Sequence, residues 1–572
     1  MLIVLATAVL AAPAPAVSAA PLSLNAVPSR VLPSPAVLRI DEFSDAVDEG
    51  RAALVGGDLT RARRAFERAE GLDADRAEFW LLRLQAAEGS FDEVLGTVSK
   101  RRRNGDRSDD LGYLSGWALL SKAQAEINGG GSGNLGFLLQ DAATQLGQAA
   151  KADAERYGDA LIGRAVALRL NGSTEEALDA ARAAVESFPT SVDALDVVGR
   201  SALALAAPLA EDEAQAERFG ALLGESRGAF EAGLAAIGNT RDALLGSRAA
   251  QLAGQLATVE LFAKDNTAAA KAYGLAIGWD PAAADFGTAF NVLERDAFIR
   301  ACEDGAKAFL KRYGKRDQRD ATTQWWLGYG LFTTNDPDRM ERSVEAFETA
   351  VAKWPGYTNS WYYLFRLNYD LKQTEEAVSA LREMRTVASA QLAGMIQADA
   401  YDISRLEGLV GQSFNAGRLE DSAEVSRALV LAQPENDRFW NNLGLFLRDA
   451  GDVRASRAKR TDEEEWAAIG ELWEESWLAY SKAVELAPES APYLNDAAVL
   501  LHYNLERDYD KALDMYARAT ELAEARMAED KFESAEEKDV WRLALRDSKN
   551  NRRALLKKIE REKEGEGEAS GS

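Results

Sequence analysis

His502 is the only histidine in this 572-residue chain, and Cys302 is the only cysteine. Imidazole acid–base catalysis needs a histidine held beside a second catalytic group, and thiolate zinc sites or disulfides need cysteines in sets. Ser-His-Asp, Cys-His, zinc and P-loop constellations therefore cannot be assembled, and no metal or cofactor is expected. A reaction carried by carboxylates alone survives that test. Acidic pairs such as Asp41–Glu42 and Glu474–Glu475 are so frequent, however, that solvated helix faces account for them. His502 follows Val499-Leu500-Leu501 and is expected to pack near a helix end, and Cys302, beside Ala301, to be a small buried residue. Gly131, Gly133 and Gly136 have the GxGxxG spacing, but a dinucleotide site needs a strand before and a helix after it. Here both flanks, 111–127 and 137–150, read as helices, so a helix–helix loop is expected.

Charge narrows the partners. Asp and Glu number 92 against 67 Lys and Arg, a net charge of −25, which repels phosphate backbones and anionic lipid. The clearest basic run, Lys100 to Arg103, has Asp106, Asp109 and Asp110 close behind it and suits a helix C-terminus, where cations meet the negative end of the dipole. Nucleic acid is not an expected partner. Aromatic residues are concentrated instead: Trp325, Trp326, Trp354 and Trp361 stand with Tyr362, Tyr363, Phe365 and Tyr369 in two adjoining segments.

The elements that position these residues repeat. Between Trp354 and Pro488 one order of small and large apolar residues returns: Trp361, Leu364, Ala377 and Leu381, closing near Ala388, then a weaker copy, Leu409, Gly417, Ser422 and Pro434, then Trp440, Leu443 and Gly444 onward. Pro355 precedes Trp361 by six residues, and Pro434 precedes Trp440 by six. Apolar residues three or four apart mark helix faces, and Gly or Asn-Asp turns part them. Gly444 and Ala377 sit where two helix backbones must approach closely. These residues resemble the tetratricopeptide repeat (TPR) consensus, which runs over about 34 residues. Further copies include Gly50 to Ala69, Tyr157 to Pro189 and Trp326 to Pro355, with weak stretches at 202–240 and 285–319.

The resemblance implies an all-α solenoid, a right-handed superhelix of about ten helix pairs over residues 41–525. In such arrays the first helix of each pair lines the concave surface. By that resemblance Tyr362, Arg366 and Tyr369 face the groove, followed by Asn441, Leu445 and Arg448, then Asn495. Aromatic, Arg and Asn side chains suit a surface that grips an extended peptide, and a polar helix face with inter-repeat packing is the plainer alternative.

The remaining segments read as follows. Residues 1–19 resemble a secretory signal cut after Ala19, although no Lys or Arg follows Met1, and an uncleaved anchor is the rival reading. Residues 20–40 form a Pro/Ala/Ser-rich linker. The unit that begins at Trp440 carries a charged insertion at 454–471, because Tyr480, Ala483 and Pro488 arrive roughly twenty residues late for the period. A capping helix is expected over 526–562 and a disordered tail over 563–572. The expected function is non-catalytic: a scaffold in the periplasm or cell envelope that binds a protein segment, with no stable membrane insertion after signal cleavage. The alternative is a glycan- or peptidoglycan-associated envelope protein that uses exposed Tyr and Trp.

Overall fold

The computed structural model describes residues 42–55, 59–130, 133–154 and 156–569, with side chains up to Glu562 apart from Ala400. The expected signal segment and linker lie outside the described residues, as do Gly131 and residues 570–572. The chain divides into two compact units, Met1–Gly330 and Leu331–Ser572.

The first unit is built from α1 Glu42–Val55, α2 Leu59–Leu72, α3 Ala74–Ala87, α4 Phe91–Arg103, α5 Asp109–Asn128, α6 Leu135–Ala152, α7 Ala160–Leu170 and α8 Thr174–Ser187. It continues through α9 Val192–Ala206, α10 Ala216–Ile237, α11 Ala243–Phe262, α12 Asn266–Trp279, α13 Phe286–Val292, α14 Arg295–Tyr313 and α15 Asp320–Phe332, the last of which crosses the division. The second unit comprises α16 Pro337–Lys353, α17 Thr358–Asp370, α18 Thr374–Ala398, α19 Ala400–Asn415, α20 Leu419–Ala432, α21 Asp437–Ala455, α22 Glu463–Leu486, α23 Ala491–Val499, α24 Tyr509–Glu529 and α25 Ala535–Ala569. A short π-helical turn, Leu500–Asn504, prolongs α23.

Substantial helix contacts within each unit join helices one or two places apart in order, the signature of stacked pairs. The all-α repeat architecture is therefore observed. Asp and Asn start many of these helices: Asp73, Asp242, Asp265, Asp336, Asn436 and Asp462 each accept an N–H from the first turn with the side chain. Part of the acidic surplus thus serves as caps. The turn inside a pair needs a left-handed residue, supplied by Gly172 (φ 81°) and Gly417 (φ 74°). Lys264 (φ 60°) and Lys372 (φ 62°) take the same conformation at a cost of about 1–2 kcal/mol.

Small residues set the spacing within pairs. A Cβ on Gly444 would stand 2.7 Å from the Tyr480 ring, and one on Gly199 would stand 2.5 Å from Phe230. One turn earlier, the Ser476 hydroxyl donates to the Gly444 carbonyl at 2.7 Å, and Ser226 does the same to Gly199 at 2.7 Å. The two pairs α9/α10 and α21/α22 therefore share one register, with Gly199 matching Gly444. The proline–tryptophan offset also has its cause: Trp361 Nε1 donates to the Pro355 carbonyl at 2.8 Å, and Trp440 Nε1 to that of Pro434 at 2.7 Å. Each indole ties the entry of its helix to the close of the previous pair.

Other sequence features take definite places. Lys100–Arg103 form the last turn of α4, and Arg101 pairs with Asp106 at 2.9 Å. Gly133 lies between helices α5 and α6, and Gly136 is already in the first turn of α6. The insertion lengthens α21 and α22 beyond their neighbours, and Arg454 clamps Glu465 across the tip at 2.6 and 2.8 Å. Ala388 (φ −160°, ψ 59°) kinks α18 where the copy was expected to close. The segment expected as a capping helix over 526–562 is divided between the end of α24 and α25, which starts at Ala535, packs on α24 and α23 and is helical through Ala569. None of the described helices is long and apolar enough to cross a membrane.

Candidate functional site

The two single residues with reactive side chains are held inert. Cys302 is fully buried on α14, and that burial pushes its thiol far above the ordinary range. His502 is buried against Tyr503, whose ring stacks on it at 3.8 Å. Burial, reinforced by the nearby Lys558 ammonium, lowers its imidazole to about 4, so it stays neutral at physiological pH. No cluster of three or more His, Cys, Asp or Glu able to hold a metal occurs among the described residues.

The seven groove residues separate into two clusters and two single positions. On α17, Tyr362 is 5% exposed, and its hydroxyl donates to the buried Asp402 of α19. Arg366 lies one turn further on, within 3.4 Å of that hydroxyl, and pairs with Asp399 at 3.0 Å. Arg405 completes the network by donating to Asp402 at 2.7 Å. Burial raises the Tyr362 phenol well above its usual value, with the Asp402 hydrogen bond adding to it. Two guanidiniums face Asp399 and Asp402, and Arg405 also reaches Asp370 at 3.9 Å. Tyr369 is half-buried, its hydroxyl over Gly408 of α19.

The second cluster joins α21 to α23. Arg448 makes a fork on Asp449 at 2.8 and 2.9 Å. Asn495, 7% exposed, donates through Nδ2 to its neighbour Asp496 at 3.5 Å, and Asn441 is also directed at Asp496. Asn504 donates to Asp452 one turn beyond Asp449. The Oδ1 atoms of Asn441 and Asn495 and the hydroxyl of the fully buried Tyr480 have no partner in the protein. Burial raises the Asp496 carboxyl to about 6, against the pull of Arg448. Burial likewise raises Asp452. Leu445 lies on α21 and packs against the buried cluster of Tyr480, Ala497 and Leu500.

Two stretches, residues 47–93 and 138–192, match the family model described as tetratricopeptide repeat. They fall on helices α1 to α4 and α6 to α9, which contact one another in chain order. These two stretches carry the tetratricopeptide repeat pattern. Among solved structures it is similar to the Cut9–Hcn1 hetero-tetramer of APC/C, at 11% identity and a TM-score of 0.23, over 88% of this chain and 97% of that one. It is also similar to the yeast Sti1 TPR2AB domain in complex with pHSP90, at 13% identity and a TM-score of 0.23, over 52% and 98% of the two chains. YrrB, described as a TPR protein with an unusual peptide-binding site, is 12% identical with a TM-score of 0.20, over 39% and 94%. Nothing about this chain's partners follows from these likenesses. No curated protein matches the sequence significantly.

TPR arrays present extended side-chain surfaces rather than closed reaction clefts. The role of this one is accordingly non-catalytic and interaction-based. The carboxylates at the heart of both clusters, Asp402 and Asp496, were not among the residues expected from sequence. Asp496 stands one place after Asn495, and Asp449 one place after Arg448, so reading only the stripe beside each tryptophan passed over both. For Asp402 the chain offered no local signal, since its partner Tyr362 lies 40 residues away.

Proposed function

We propose that the protein is a scaffold of the cell envelope that holds an extended protein segment along the first helices of its second unit, α17, α21 and α23. The observation that carries this reading is the cluster on α21 and α23: Asn441, Arg448 and Asn495 gather around Asp496, and two amide oxygens there remain unpaired. Side chains with unused hydrogen-bonding capacity at a partly open surface are what a bound segment can satisfy. Tyr362 and Arg366, committed to Asp402, act as supports of that face. Export rests on the apolar run at residues 1–19 and its small-residue end.

The glycan alternative has less to draw on. Tyr362 is buried, and Trp326 stacks on Phe286 at 5.8 Å, so both are engaged in packing. The test is an affinity capture from an envelope fraction with the wild type and with a Tyr369→Ala/Asn441→Ala/Leu445→Ala variant of equal helical content. Loss of one or two specific proteins from the variant supports the scaffold reading. Unchanged capture refutes this placement, and wild type that captures no protein but sediments with cell-wall material transfers the reading to glycan.

A further inference from the structure

The cluster between α21 and α23 is electrically lopsided. Asp449, Asp452 and Asp496 face a single guanidinium, Arg448, and all three carboxylates also act on the Tyr480 hydroxyl. Access is open from one side: Asp452 is exposed, Asp449 keeps a third of its side chain in solvent, and Asp496 is partly exposed. The floor is closed by Asn495 and Tyr480.

Three of the unpaired atoms at this place can accept, and the one donor, Trp473 Nε1, is directed at Asp452. Asn441 Oδ1 and Asn495 Oδ1 are acceptors, because each amide nitrogen is already directed at Asp496. The Tyr480 hydroxyl can accept as well. Acceptors left over beside a surplus of carboxylate call for a group that brings several N–H donors and positive charge. A bare metal ion fits poorly, since the carboxylates do not converge into a coordinating set. A lysine ammonium or an arginine guanidinium fits: it supplies three to five donors on a stem long enough to reach from a bound backbone to the floor.

We propose that this pocket receives a lysine or arginine side chain of the partner segment, held by Asp449, Asp496 and the amide oxygens of Asn441 and Asn495. The proposal rests on the scaffold reading and adds the partner's chemistry to it. Arg448 fixes Asp449 in place and at the same time repels a second cation from its own end of the pocket, so one basic side chain is accepted at a defined position.

The probe is a displayed library of randomised twelve-residue peptides, selected on the full-length protein at near-physiological salt, where weak surface attraction is screened. Selected peptides are expected to carry Lys or Arg at one fixed position. They should bind Asp449→Asn/Asp496→Asn at least tenfold more weakly. A control variant, Glu464→Gln/Glu489→Gln, removes the same charge from exposed positions and should bind as wild type does. Asparagine at 449 and 496 keeps the shape and removes charge that burial opposes, and thermal melting of each variant verifies folding.

Selected peptides without an enriched basic residue, equal loss in the control variant, or undiminished binding to Asp449→Asn/Asp496→Asn would each overturn the proposal. If it falls while the Tyr369→Ala/Asn441→Ala/Leu445→Ala variant still loses its captured proteins, the scaffold stands without this specificity. If neither effect occurs, both readings fall.

Discussion

The pairs α9/α10 and α21/α22 share a backbone register and differ in what they bury. Gly199 and Gly444 are equivalent, so Asp196 occupies the place of Asn441 and Phe230 that of Tyr480. Around Asp196 the first unit gathers three guanidiniums. Arg200 donates to it at 2.7 Å, Arg248 bridges it and Asp193, and Arg169 stands behind. Burial would raise the Asp196 carboxyl, but these arginines together hold it below the usual range, and burial lowers Arg169 to about 10. The second unit has one arginine for three aspartates. One scaffold position thus carries a closed, cation-rich lock in one unit and an open, anion-rich pocket in the other, and the helix packing is indifferent to the exchange.

The largest effect should come from the shared feature. Alanine at Gly199 or at Gly444 puts a Cβ into a ring face and should cost about 2–3 kcal/mol at either site, measured by denaturant unfolding. Loss at only one of them would break the equivalence. The arginines should then diverge. Arg248→Met removes the cation that bridges two buried carboxylates, while Asp196 keeps Arg200, and should cost about 2 kcal/mol. Arg448→Met leaves carboxylates that water reaches and should cost about 1 kcal/mol. Equal losses would mean that the second cluster is as closed as the first.

Acid should move these two clusters in opposite directions. Asp196 sits below the usual carboxylate range, so its contribution is present at neutral pH and is lost as pH falls through that lowered value. Asp496 sits at about 6, so the folded state takes up its proton first, and the contribution of this cluster to stability grows as pH falls from 7 through 6 toward 4. The groups facing Asp496 are Arg448 and Asp449 from α21, Tyr480 from α22, Tyr493 beside it on α23 and Tyr516 from α24; Asp452, also on α21, joins them at Tyr480. Asp496→Asn should raise stability at pH 7 by about 1 kcal/mol and remove that pH response, followed by hydrogen exchange resolved over each unit. The smallest effect belongs to the indole ties: Trp361→Phe and Trp440→Phe should each cost about 0.5–1 kcal/mol in thermal melts.

Much of the fold could be read directly from the chain because its causes are local. Apolar spacing sets the helices, Asp and Asn start them, and Gly172 and Gly417 turn them, all within a few residues of sequence. The need for Gly444 and the six-residue step from Pro434 to Trp440 were visible as regularities before the facing ring and the carbonyl gave them a reason. Tyr362 and Arg366 could be placed on a helix face, but their counter-charges could not be assigned. Asp402 reaches them from α19, and Asp496 meets Arg448 from α23.

Sequence by itself determined that the chain is a run of helix pairs with a strong negative balance and no histidine or cysteine chemistry, since propensity, periodicity and composition act over a turn or two. Only the tertiary structure decided which carboxylates are neutralised and which are left open. Electrostatic pairing runs through space between helices 40 or more residues apart, and burial, which sets its strength, does not exist until those helices pack.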